Sequence, residues 1–153
     1  MKMNDRAKRL EQIATLLREQ STLALATTDQ YGEACIAPLF YICDENLALY
    51  WLSAADCLHS ENLKRTPKAA ATVYRHAENW KEIRGVQMHG VVSIITEGGQ
   101  RRALIATYCE RFHLGPAFAL AVRQSAVYAL RPAFFRYIDN SKAFRHKFEI
   151  WRP

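Results

Sequence analysis

At 153 residues, with half the side chains apolar and 24% charged, the chain is long enough to bury one sizeable core and fits a single domain better than two. It holds no uninterrupted apolar run of about eighteen residues, and its charged start, Met1-Lys2-Met3-Asn4-Asp5-Arg6, lacks the apolar segment of a signal peptide, so a cytoplasmic protein with no membrane partner is expected. The net charge of +6 is uneven: residues 19–63 carry no basic and seven acidic side chains, whereas residues 64–153 carry sixteen basic and six acidic ones, scattered singly, so no nucleic-acid partner is expected.

Residues 4–20 predict an amphipathic helix, with Asn4 as its N-cap and Leu10, Ile13, Leu16 and Leu17 on one face. Thr22–Thr28 reads as a short strand. The turn cluster Asp29-Gln30-Tyr31-Gly32 then delivers the chain into an antiparallel strand from Glu33 to about Cys43. Pro38 cannot donate a ladder hydrogen bond, which places that strand at an edge or a bulge. After Asp44-Glu45-Asn46, residues Leu47–Leu52 form a third strand, apolar on both faces, and complete a meander. Asp56 is placed to cap a short helix that must end before Pro67.

Ala69–Arg75 is the next strand, and Ile83–Thr96 a long one with bends or bulges at Gly85 and Gly90. Gly98-Gly99 stops it. Helices over Gln100–Phe112 and Ala117–Gln124 follow, then strands over Val127–Ile138 and Phe148–Trp151. Six or seven strands in hairpin order with helices between them predict an α+β fold built on an antiparallel barrel or curled sheet. One domain spans residues 1–153, with the helix in 1–20 and the barrel and its inserted helices in 21–153.

The cysteines at 35, 43, 57 and 109 make no CxxC pair and read as reduced thiols. Cys57-x-His59 and Cys109-x-x-x-His113 each supply two ligands where a structural zinc wants four, so no metal site is expected. Cys57 falls at a helix N-terminus, where thiolate is favoured, although as a single residue it reads best as a small buried replacement for serine.

Three pieces carry a family resemblance: Thr22–Thr28 followed by Asp29-x-Tyr31-Gly32-Glu33, then Pro38-Leu39-Phe40-Tyr41, then Leu49–Ser53. Together with Asn62-Leu63, Thr66-Pro67 and the segment Ile83–Gly90, they resemble the pyridoxamine 5'-phosphate oxidase-like FMN-binding split barrels, and the ending Ile138-Asp139-Asn140 with Lys147–Trp151 resembles small single-domain members. The resemblance implies an antiparallel split β-barrel with flanking helices, and a homodimer holding FMN in clefts between subunits. It places the flavin ring near Pro38, Leu39, Phe40 and Tyr41, with Trp51, Leu52 and Ser53 on the adjoining strand. Taken singly, Trp51 and Trp80 read as core or interface aromatics rather than flavin-stacking groups.

The phosphate position departs from the family pattern. Where the oxidases carry a hydroxyl residue followed by Arg and Lys, this sequence has Cys57-Leu58-His59; two further basic positions fall at Ala37 and Ile42, and a glutamine position at Gly85. Each lost cation contact forfeits about 1.5–3 kcal/mol. The implied substitutes are His59, the hydroxyls of Ser53 and Ser60, the first-turn amides of the helix after Asp56, and a cation from Arg84, with Lys64 and Arg65 next. An FMN-dependent oxidoreductase acting on an unidentified small substrate is the leading expectation, and pyridoxamine phosphate oxidation itself is not expected. The alternative is a non-enzymatic module that holds haem or another cofactor in the same cleft, with His59, His89 or His146 as the axial ligand.

Overall fold

The computed structural model describes residues 3–152. Its first helix, α1 (Met3–Glu19), buries Ile13, Leu16 and Leu17, each contributing about 1.5–3 kcal/mol through loss of apolar surface from water. Asn4 lies inside this helix rather than capping it, and the residues before Met3 fall outside the described ones.

Eight strands follow: β1 (Thr22–Thr28), β2 (Ala34–Phe40), β3 (Ile42–Cys43), β4 (Leu49–Ser53), β5 (Lys68–Tyr74), β6 (Arg84–Ile94), β7 (Ala126–Asp139) and β8 (Lys147–Trp151). They make one antiparallel sheet in the order β2-β1-β5-β6-β7-β4-β3, with β8 added to β7. Sequence reasoning counts six or seven because it reads Glu33–Cys43 as one strand. The chain breaks at Tyr41, whose phenol donates to the Leu17 carbonyl at 2.6 Å, so β2 and β3 reach opposite ends of the sheet order. Pro38 sits, as expected, in an edge strand, opposite Ala24.

β7 binds the architecture together. Along one side it pairs with β6 throughout; along the other, residues 126–130 pair with β4 and residues 134–138 with β8. The β6–β7 register shifts between His89 and Gly90, and a Cβ on Gly90 would lie 2.0 Å from the Arg131 carbonyl oxygen, so only glycine permits the strands to approach at this bulge. The turn after β1 is closed by the Asp29 carboxylate, which accepts from the Tyr31 and Glu33 amides, and Gly32 adopts φ +87° there.

The helices α2 (Leu58–Arg65), α3 (Gly98–Arg111) and α4 (Ala119–Gln124) are inserted between strands. Gly98 and Gly99 open α3 rather than preceding it, because the Glu97 carboxylate accepts from the Gly99 and Gln100 amides and caps the helix. Two apolar clusters result. Leu49 and Trp51 enter the barrel core beneath α1, while Tyr50 joins Ile42, Val127 and Ala129 in a second cluster, with Leu52, Leu104 and Ile105 packed against it. That division explains why β4 is apolar on both faces. α2 is tied to the barrel by Asn62, whose amide donates to the Thr27 hydroxyl at 3.1 Å.

Candidate functional site

Cys57 occupies the N-cap of α2 in extended backbone conformation and makes no side-chain cap bond; Asp56, the predicted cap, lies one residue outside. Four polar side chains converge on this end. The Ser53 hydroxyl and His59 Nε2 are 2.8 Å apart, Cys57 Sγ is 3.2 Å from the same nitrogen, and Cys57 Sγ is 3.0 Å from Ser60 Oγ. The Cys57 thiol also lies 3.0 Å from the Ala54 carbonyl. Ser53 and Ser60 are buried, and burial pushes the His59 imidazole below its ordinary pKa, so the ring is held neutral at neutral pH. The first-turn amides of a helix lack intrahelical acceptors. Hydroxyls, a thiol, an imidazole and a helix N-terminus together form a donor-rich cradle suited to an oxyanion.

The structure therefore brings Ser53, Cys57, His59 and Ser60 together. The residues expected from β2 and β4 differ in exposure within the single chain. Pro38 is exposed, and Phe40 is half-exposed with its ring 4.8 Å from Phe112. Leu39 and Leu52 are partly buried against the two apolar clusters. Tyr41 and Trp51 direct their side chains into the core, as the reading of Trp51 as a core aromatic has it. Both side chains have no exposed surface: Tyr41 turns under α1, and Trp51 stacks on Tyr128 with ring centroids 5.7 Å apart. Strand alternation decides this, since neighbouring residues in a strand face opposite sides.

Within one subunit Arg84 does not reach the cradle. It begins β6, whereas the far end of that strand, at Ser93 and Ile94, is the part that faces α2, roughly 30 Å away along the strand. Its guanidinium is 3.3 Å from the Asp139 carboxylate and donates to the Ser141 hydroxyl at 3.0 Å. Burial alone would raise the Asp139 pKa, but hydrogen bonds from Ser141 and the charge of Arg84 hold it below its ordinary value. Lys64 pairs with Glu61, and Arg65 is exposed at the opposite end of α2 from the cradle. Arg101, which sequence reasoning passes over, donates to the Ser125 carbonyl at 2.9 Å; Ser125 adjoins Ala126, the strand partner of Ser53. No sequence signal marks it, because its anchor is a backbone carbonyl.

A second feature lies on the outer face of the sheet. Ala24, Ala26 and Ala70 floor a groove of about 580 Å³, walled by Ile36 on one side and by Phe134 and Trp151 on the other. His89 stands in it, stacked on Phe134 at 4.9 Å and edge-on to Trp151 at 5.7 Å. A neighbouring hollow of about 440 Å³ shares Ala26, Ala70 and His89. His146 sits in the turn between β7 and β8, outside both cavities. The aromatic trio is missed by reading segments one at a time, since it forms only when β6, β7 and β8 are aligned in register.

The family model described as pyridoxamine 5'-phosphate oxidase matches residues 10–139, most of the chain. The chain belongs to that family. A UPF0306 protein of Yersinia pseudotuberculosis (serotype O:3, strain YPIII) is 33% identical over 101 residues, covering 65% of this chain and 67% of the relative. Among solved structures, HutZ, the haem storage protein of Vibrio cholerae, superposes with a TM-score of 0.67 at 19% identity, over 80% of this chain and 88% of that one. An FAD-binding protein of Mesorhizobium loti gives a TM-score of 0.66 at 15% identity, over 82% of this chain and 90% of that one. The family's split-barrel fold is the fold of this protein.

Proposed function

We propose that this member of the family is a homodimeric flavoprotein that binds FMN with its phosphate in the Ser53–Cys57–His59–Ser60 cradle and acts as an oxidoreductase on a small substrate. The observation that carries the reading is the cradle itself, which forms at the position where the sequence resemblance implies the cofactor phosphate. The donor set fits a phosphate: hydroxyls, a thiol and amides can donate, and His59 gains a proton as the anion arrives. Arg101, at the same end of the β4–β7 pair, supplies positive charge within the subunit. When bound, FMN would supply hydride and electron transfer through its ring, so no protein nucleophile is needed.

The second subunit is proposed to lie on the exposed apolar face of β2, where Ile36 is 73% and Phe40 53% exposed, close to the alanine-floored groove. Titration of the purified protein with FMN, followed by quenching of flavin fluorescence, tests the reading. Saturable one-to-one binding per chain that is weakened by His59→Ala supports it; no quenching, or quenching indifferent to that change, rejects it.

His89 favours a second reading. It stands in a groove large and apolar enough for a planar macrocycle, flanked by Phe134 and Trp151, and the fold is shared with a haem storage protein. Under this reading, haem titration gives a Soret band that His89→Ala abolishes and His59→Ala leaves intact.

A further inference from the structure

Beneath α2, sharing Ser60 with the cradle at its N-terminus, a small chamber of about 40 Å³ lies between the helix and the ends of β6 and β7. Its polar lining consists of Ser60, Lys64, Ser93 and Tyr128, and no carboxylate lines it among the described residues. Tyr128 is only 2% exposed, and its hydroxyl has no hydrogen-bond partner. A buried hydroxyl left unpaired is costly, so a polar occupant is called for.

The other groups decide its sign. The Ser93 oxygen accepts from the Arg131 guanidinium at 2.6 Å, which leaves the Ser93 hydrogen free to point elsewhere and brings a second positive charge close behind the wall. Ser60 Oγ lies 3.0 Å from Cys57 Sγ, an arrangement in which either atom can donate. The Lys64 ammonium, tied outward to Glu61, is within electrostatic reach of the Tyr128 phenol. Three hydroxyl-bearing side chains and an ammonium line one space; Lys64 keeps its bond to Glu61, and its remaining hydrogens can donate inward beside those of Tyr128, Ser60 and Ser93. The chamber exceeds the roughly 10–15 Å³ that one water needs and is far below the size of a cofactor pocket.

We propose that this chamber is a binding site for a small monovalent inorganic anion of halide size, held by the Tyr128, Ser60 and Ser93 hydroxyls and the Lys64 ammonium. Occupancy has a consequence for the cradle. When Ser60 donates to the anion it no longer donates to Cys57 Sγ, whose S–H stays directed at the Ala54 carbonyl; a thiolate there loses a stabilising hydrogen bond, so the anion keeps that thiol protonated and slow to react.

The test uses the cofactor-free full chain at fixed ionic strength, exchanging sodium gluconate for sodium chloride. Chloride should raise the melting temperature saturably, by about 2–4 °C, and slow alkylation of Cys57 by iodoacetamide, read at that residue by peptide mass spectrometry. Tyr128→Phe, which keeps the ring that stacks on Trp51, should abolish both effects, and Lys64→Met should weaken both; the exposed Lys64 also provides a variant should Tyr128→Phe not fold. Equal melting in the two salts, or a chloride effect that survives in both variants, overturns the proposal. Tyr128→Phe, outside the cradle, should abolish the chloride shift while leaving FMN binding in place; a chloride shift that survives it would place the halide in the cradle and overturn the proposal. Failure to bind FMN bears only on the preceding proposal.

Discussion

His59 combines two opposed demands. Burial in the cofactor-free protein disfavours its protonated form, while an anion beside it would favour that form. Because the folded pKa is lowered, its stabilising contribution is complete above the unfolded value of about 6.5 and is lost as pH falls below that towards the folded pKa. Melting temperature measured against pH should therefore decline below about 6.5, and His59→Gln should flatten the decline. FMN binding reverses the sign: a bound phosphate raises the His59 pKa, so affinity should be greatest in mild acid and fall as pH rises through the raised value. A dissociation constant measured across pH checks this, with the slope absent in His59→Gln. Arg101→Gln should weaken FMN about tenfold at low salt and less at high salt, as the proposed long-range attraction of its charge for the phosphate requires. These roles were unevenly visible in the chain. Cys57-x-His59 announces its own proximity, and Ser53 and Ser60 follow from adjoining elements. Arg101 and the buried fate of Tyr41 and Trp51 depend on partners many residues away, which local pattern does not encode.

At the scale of elements, periodicity and turn chemistry place every strand but β3 to within a few residues, because the alternation in β1 and β5 and the capping at Asp29 are local effects. What escapes is the break at Tyr41, where the cause is tertiary: its phenol is fixed to α1. The bulge at Gly90 is legible as a glycine in a strand, yet its necessity appears only when Arg131 lies across from it. Gly90→Ala should force the β6–β7 pair apart and destabilise the fold by about 1–3 kcal/mol, read as a lower urea midpoint with an unchanged slope. Loss of more than the predicted amount would show that β7 transmits the distortion to β4 and β8, which it pairs on its other side.

For the whole molecule, the fold leaves one sheet face apolar and open, with Ile36, Phe40 and Trp151 all exposed by half or more. A surface of this kind marks an interaction site. Ile36→Glu should shift the proposed dimer towards monomer in analytical ultracentrifugation without altering the far-ultraviolet circular dichroism; a variant as dimeric as the parent would place the subunit contact elsewhere. The charge distribution is equally a property of the whole. Residues 19–63 bring acids and hydroxyls but no Lys or Arg, and folding carries Arg101 to the Ser125 carbonyl beside the end of the β4–β7 pair.

The floor of the outer groove is made of methyl groups from Ala24, Ala26 and Ala70. Its depth is thus defined by missing side-chain volume rather than by any recognition group, and larger aliphatic residues there would shallow the trough while leaving strand pairing untouched. Dimensions of the hollow and integrity of the scaffold are consequently separable on this face: its depth can change one carbon at a time, with the hydrogen-bonded ladder beneath unaware of the exchange.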